Sequence, residues 1–468
     1  MGIIAACMVP HPPLIIPAVG RGEEKKIQNT IHAYEEVARK IGVWKPDTIV
    51  LISPHQTMYA DYFHISPGKS AVGDFGRFRT EQVKLEIPYD TGFTDILSQF
   101  AVSERFPAGT AGEREPKLDH GTMVPLYFVN QYWSGYRLVR IGLSGLSLAE
   151  HYRLGQYIQR TAEELERKTV VIGSGDLSHR LTEDGPYGYR KEGPEYDHRI
   201  MDVMGSGSFS ELLDFSEDFC EQAGECGHRS FTILAGTLDG QKIKSERLSY
   251  EGPFGVGYGV CVYEVRGFDE TRKFLEQHEE KIRMQLSRQR ELEDDYVRLA
   301  RRTIDHYVRT GEMMELPEGL SSELSSCRSG VFVSIKKEGR LRGCIGTIQA
   351  VQSSVADEIR NNAISACSRD PRFAPVEPGE LEQLTISVDV LGVPEKIASL
   401  KELDVKRYGV IVSSGYRRGL LLPNLEGVDT VEQQIAIARQ KAGIREDEEV
   451  ELLRFEVVRH SPDTFQEK

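Results

Sequence analysis

The chain has 468 residues, 39% hydrophobic and 28% charged, the balance of a folded polypeptide long enough for two or three domains. Its formal net charge of −14 argues against broad binding to nucleic acid or to anionic membranes. No run reaches the roughly 18 apolar residues of a membrane span, and seven cysteines without a CxxC pair argue for a reducing compartment, the cytoplasm, over a disulfide framework.

The first apolar run lacks a basic leader, and Pro10, Pro12 and Pro13 break it. It reads as a buried strand, Ile3–Val9, and not as a signal peptide. A helical pattern over Glu23–Ile41 follows, then strand Thr48–Ser53, helix Leu148–Arg167 and strand Thr169–Gly173. Gly257–Val265 closes the series as a last strand. This alternation predicts an α/β domain over residues 1–266, with a mainly parallel sheet sandwiched by helices. Residues 267–289 read as a charged helical linker. Residues 290–468 read as a smaller α+β domain, entered by a helix whose Tyr296, Ala300, Ile304 and Tyr307 recur at helical spacing. Its strands are expected at Gly330–Ile335, Leu384–Leu391, Tyr408–Ser413 and Glu451–Val458, and its helices at Val355–Arg369 and Thr430–Ala442.

Polar groups fall where strands end. Pro10-His11 follows the first strand, Pro54-His55 the second, and Ser174-Gly175-Asp176-Leu177-Ser178-His179 the third. Parallel strands bring such loops together at their carboxyl edge, where open α/β sheets bind ligands. Proline fixes φ and stops the strand, so each following imidazole is held in one direction, as a metal ligand requires.

Asp119-His120-Gly121, continuing to Pro125-Leu126, resembles the DHGxxxPL signature of LigB-like class III extradiol dioxygenases. The Pro10-His11-Pro12-Pro13, Ser53-Pro54-His55 and Ser174–His179 elements resemble the same family, in the same order. The resemblance covers roughly residues 1–265. It implies a non-haem Fe(II) centre on two histidines, His11 and His55, and a carboxylate. Glu225 sits in the right part of the chain and would complete that triad. Cys226 is adjacent, and the Memo-like branch of the superfamily uses a cysteine here, a ligand that favours Cu or Zn. Both alternatives stay open. The resemblance assigns acid–base work to His120 and His179, with Asp176 orienting His179 or capping a helix. His228 reads as a bystander to the metal.

In the second part, Leu341-Arg342-Gly343-Cys344-Ile345-Gly346 resembles the LRGCIG signature of AMMECR-type domains, and Asp370-Pro371-Arg372-Phe373 fits the same family over about residues 290–460. Two glycines around Cys344 suggest a tight turn or a close backbone approach. Arg342 offers a fork for a carboxylate or phosphate, and Cys344 is a candidate nucleophile against the alternative of an inert, buried thiol.

These readings give a first function: an Fe(II) extradiol-type dioxygenase acting on a catechol-like or other vicinal dihydroxy substrate with O2. A second is a Memo-like metal or redox component of a modification pathway without ring cleavage. Zinc-dependent hydrolysis is the third. Fusion of the two domain types resembles members of the AmmeMemoRadiSam set, which implies a radical-SAM partner by resemblance only. No iron–sulfur motif stands in this chain. A homo-oligomer is neither required nor excluded by the sequence.

Overall fold

The computed structural model describes residues 2–114, 117–425 and 427–462. It divides into two compact units, residues 1–279 and 280–468. Among the described residues, no helix is long and apolar enough to cross a membrane.

The first unit contains strands β1 (Ile3–Val9), β2 (Thr48–Ser53), β3 (Ser70–Phe75), β4 (Thr80–Pro88), β5 (Arg137–Gly142), β6 (Thr169–Ser174), β7 (Gln241–Glu251) and β8 (Tyr258–Phe268). Six of them form one sheet in the order β5-β2-β6-β1-β8-β7. Neighbours from β5 to β1 are parallel, whereas β8 and β7 add antiparallel to that edge. The expected parallel sheet is therefore present; the last strand, expected over Gly257–Val265, joins it antiparallel, and the edge strand β7 was not expected.

Burial on both faces explains why the central strands read as unbroken apolar runs. Ala6, Met8, Val50, Ile52 and Val171 face one core, and Ala5, Cys7, Ile49, Leu51 and Val170 face the other. Helices α1 (Gln28–Trp44) and α3 (His120–Val129) pack on the second core. Helices α2 (Thr91–Ser103), α4 (Leu148–Glu164), α5 (Glu192–Ser206) and α7 (His228–Gly236) pack on the first. A short α6 (Glu217–Ala223) precedes α7. Strands β3 and β4 stand apart as a two-stranded hairpin.

Helix α8 (Phe274–Glu291) carries the unit boundary, and α9 (Asp295–Thr310) opens the second unit. There β9 (Val331–Lys337), β10 (Arg340–Gly346), β11 (Leu384–Leu391), a two-residue β12 (Glu395–Lys396), β13 (Tyr408–Ser414), β14 (Arg417–Leu421) and β15 (Glu451–His460) form an antiparallel sheet. Its order is β10-β9-β11-β15-β13-β14, with β12 beside β15. Helix α10 (Val355–Ser368) covers Val333, Ile335 and Ile386 on one face. The signature segment forms edge strand β10 and makes no turn. A Cβ on Gly343 would lie 2.2 Å from the Ala366 carbonyl oxygen of α10, so close approach is what that glycine permits.

Candidate metal centre

Strand ends β1, β2 and β6 lie side by side, and their polar residues meet. His11 Nε2 and His55 Nε2 are 2.9 Å apart. Cys226 Sγ lies 3.6 Å from His11 Nε2. These ligand atoms all fall within 4.8 Å of one another. Two imidazole nitrogens so close need a proton or a cation between them, and a third soft donor faces the same point. The set therefore fits a metal ion, and its thiol suits copper or zinc as well as iron.

Each ligand is anchored from behind. The His11 N–H donates to Asp176 Oδ1 at 2.7 Å, and the His55 N–H donates to Ser53 Oγ at 3.2 Å. Cys226 Sγ accepts the Asp176 N–H at 3.2 Å. His11 is buried, while His55 is exposed and opens the group on one side. Burial, then the neighbouring His55 and His120, holds His11 well below the usual imidazole range. Burial lowers His55 too, against the opposing charges of Asp119 and Asp176. Both imidazoles are thus neutral, the form that binds metal. Burial, then the Asp176 and Glu225 charges, pushes the Cys226 thiol far up, so only a cation at the site would draw off its proton.

His120, the first residue of α3, turns its ring toward His55, with centroids 4.0 Å apart. Asp119 caps that helix through the Thr122 N–H at 2.9 Å and receives Ser53 Oγ at 2.5 Å. Burial would raise the Asp119 carboxyl, but the Ser53 bond, the Arg140 charge and the Thr122 bonds outweigh it and hold it low. A cavity of about 660 Å3 adjoins, lined by His55, His120, Asp119, Phe78, Met123 and Arg140 among others. The hairpin β3–β4 supplies one wall, and Phe78 meets the His120 ring edge-on. Sequence reasoning missed this hairpin and gave no separate role to Ser53 and Ser174, which it placed within the family elements. The signal for the serines was a hydroxyl at or just past the end of each apolar run.

Two sequence expectations change. Glu225, expected to complete the triad, turns away from the group. Its carboxylate accepts the His228 N–H at 2.5 Å at the start of α7, and burial pushes it up to about 7. The neighbouring Cys226 takes the inward position. Asp176 does not orient His179 either. The His179 ring is held by the Gly224 carbonyl, while Asp176 serves His11 and Cys226. His179 remains within electrostatic reach of His11 and His55. His228 faces Leu212 and Tyr196, off the site.

In the second unit, Arg342 reads a carboxylate of its own chain. Its fork meets Glu380 at 3.0 and 2.8 Å and also holds the Ala374 and Pro375 carbonyls. Four of its five N–H donors are thereby spent within the chain. Cys344 lies on edge strand β10. Its N–H donates to Asp370 at 2.9 Å, and its carbonyl accepts from Arg372 at 3.2 Å. Arg372 also grips Asp370. This pair imitates the hydrogen bonds of an absent neighbouring strand and blunts the sheet edge. The Cys344 thiol, half-buried, accepts the Ser334 hydroxyl at 3.2 Å.

Comparison with known proteins agrees with this division. Residues 5–261 match the family model described as the catalytic LigB subunit of aromatic ring-opening dioxygenase, and residues 297–460 match AMMECR1. A Clostridium acetobutylicum protein whose name states no activity is 44% identical over 461 residues, which is 97% of this chain and 98% of that protein. A Thermotoga maritima protein is 52% identical over 170 residues, covering 36% of this chain and 98% of its own length. An uncharacterized Pyrococcus horikoshii protein of known crystal structure is 33% identical, covers 36% of this chain and 90% of its own, and has a TM-score of 0.34. Motif order, sheet edge and matched residues lead to one conclusion: the chain belongs to the LigB family, with an AMMECR1 domain fused after its LigB domain.

Proposed function

We propose that the first unit is a metal-dependent oxidoreductase of extradiol type, acting with O2 on a vicinal dihydroxy, catechol-like substrate. The observation that carries this reading is that His55, one of the His11–His55–Cys226 group, lines the same cavity as His120. His11, His55 and Cys226 would hold the ion. A redox-active ion such as Fe(II) or Cu would supply Lewis acidity and electron transfer to O2, whereas Zn would supply only the first. The chain's own residues do the rest. Phe78 and His120, packed edge to face, would offer one aromatic wall of the cavity to a substrate ring. His120, neutral and facing His55, would accept a hydrogen bond from a substrate hydroxyl. Asp119, capped and hydrogen-bonded, fixes the start of α3 and hence the place of that imidazole.

Cys226 favours a second reading, because a thiolate in place of a carboxylate suits a metal or redox component that does not open rings. In that reading the unit serves a modification pathway alongside a radical-SAM partner. Anaerobic loading with Fe(II), Cu(I) and Zn(II), followed by catechols under O2, separates the two. Catechol-dependent O2 uptake by the iron or copper form supports the dioxygenase. Tight metal binding without O2 uptake by any loaded form leaves the pathway component.

A further inference from the structure

Helix α3 contains Pro125. Proline has no N–H, so the carbonyl four residues earlier, that of Gly121, loses its helical donor. That carbonyl is instead satisfied from across the sheet edge, where the Ser174 hydroxyl donates to it at 2.6 Å. The same Ser174 oxygen lies 3.0 Å from His11 Nδ1. A hydroxyl has one proton to give. Since Ser174 gives its proton to Gly121, its oxygen can only accept from His11. A neutral His11 must then carry its proton on Nδ1 and a bare lone pair on Nε2. Nε2 is the atom that faces His55 and Cys226.

Gly121 is confined as well. A Cβ there would lie 2.5 Å from Ser53 Oγ and 3.2 Å from His55 Cδ2, so no side chain fits between α3 and the ligand. The Gly and Pro of the Asp119–Leu126 signature thus act on a histidine far earlier in the chain.

We propose that Pro125, the Gly121 carbonyl and Ser174 form a relay that sets the tautomer of His11, presenting a bare Nε2 before any metal arrives. Ser174 and Pro125 are accordingly positioning residues for the metal centre. The inference rests on the assignment of His11 as a ligand in the proposed function. Most metal-bound histidines donate their second ring N–H to an oxygen, and losing that partner typically costs about 10–100-fold in affinity. Here the oxygen is a hydroxyl whose own proton is committed elsewhere by a proline.

The test uses the metal-free full chain labelled with 15N-histidine, and long-range 1H–15N correlations that report which ring nitrogen carries the proton. Zn(II) affinity is measured beside it by competition with a chelator. In the native sequence His11 is expected in the Nδ1–H form. Ser174→Ala is expected to mix the tautomers and weaken Zn(II) binding by about 10–100-fold, and Ser174→Thr, which keeps the hydroxyl, to restore both. Pro125→Ala returns an N–H to compete for the Gly121 carbonyl and shifts the tautomer in the same direction, by less. A His11 already in the Nε2–H form, or one unmoved by Ser174→Ala, overturns the relay. If the tautomers behave as expected but the native chain binds no Zn(II), Fe(II) or Cu(I), the relay stands and the proposed function falls.

Discussion

Each unit surrounds a cysteine with polar partners, yet only in the first do several ligand-type atoms converge on one point. In the second unit, Arg342 spends four of its five donors on Glu380 and two carbonyls, and Asp370 with Arg372 closes the backbone of Cys344. In the first, His11, His55 and Cys226 are anchored from behind while their ligand atoms point at one another. The difference lies in hydrogen-bond accounting and not in residue type. A motif whose polar groups are spread over backbone partners is a scaffold, and one whose ligand-type atoms converge on a single point is a candidate site.

The sharpest way to break that contrast is to remove the thiol. Cys226→Ala is expected to weaken metal binding by about a hundredfold or more, since each ligand carries a large share of the total binding energy. Cys344→Ala should leave metal affinity unchanged. Equal losses from the two, measured by chelator competition, would erase the distinction between the units.

Next in size is the strut. Arg342→Ala leaves the Glu380 carboxylate, on a side chain only 18% exposed, without its fork, and is expected to cost about 2 kcal/mol after allowing for partial solvation. Hydrogen exchange of the β10 segment should rise, while fluorescence of Trp44 and Trp133, both in the first unit, holds steady. No change in exchange would mean that Arg342 is free for a ligand after all.

A pH series sharpens the same point. Burial alone would raise Glu380, but the Arg342 fork outweighs it and holds the carboxyl at about 2, below its ordinary 4.5. A depressed carboxyl stabilises the folded state above its unfolded value, and that stabilisation is lost as pH falls. Protection of β10 should therefore decline between pH 4.5 and about 2, and Glu380→Gln should flatten the decline. An unaltered profile would remove the pair from the account of stability.

The smallest effect concerns Glu225. It accepts the first N–H of α7, so Glu225→Gln should cost about 1 kcal/mol and leave metal affinity nearly intact. Strong loss of metal from this variant, with retention in Cys226→Ala, would reverse their roles.

Much of this was legible in advance. Ile3–Val9 and Thr48–Ser53 were bounded to the residue, because both faces of a parallel sheet demand apolar side chains and Pro10 and Pro54 mark the ends. The convergence of His11 and His55 followed from the same rule. What stayed hidden depended on partners far away. Strand β5 carries Arg137 and Arg140 and reads as polar, yet Arg140 is buried against Ser66 and the Lys117 carbonyl. Glu225 and Cys226 are adjacent, so their facing is decided by the backbone path from Gly224, at φ 66°, into α7. Composition holds no trace of that path. Of the two readings offered for the β10 glycines, the close backbone approach holds at Gly343 and the turn does not.

The spacing of the ligands also orders events during synthesis. His11 and Cys226 are 215 residues apart. At about 5–20 residues per second, on the order of 10–40 seconds separate their emergence from the ribosome. Through that interval the nascent chain offers imidazoles without the thiol, an incomplete chelate from which an early ion can still exchange. With the metal held as proposed, the last ligand to be translated would be the thiol, the donor that favours softer ions, so the choice of ion would fall to the finished domain.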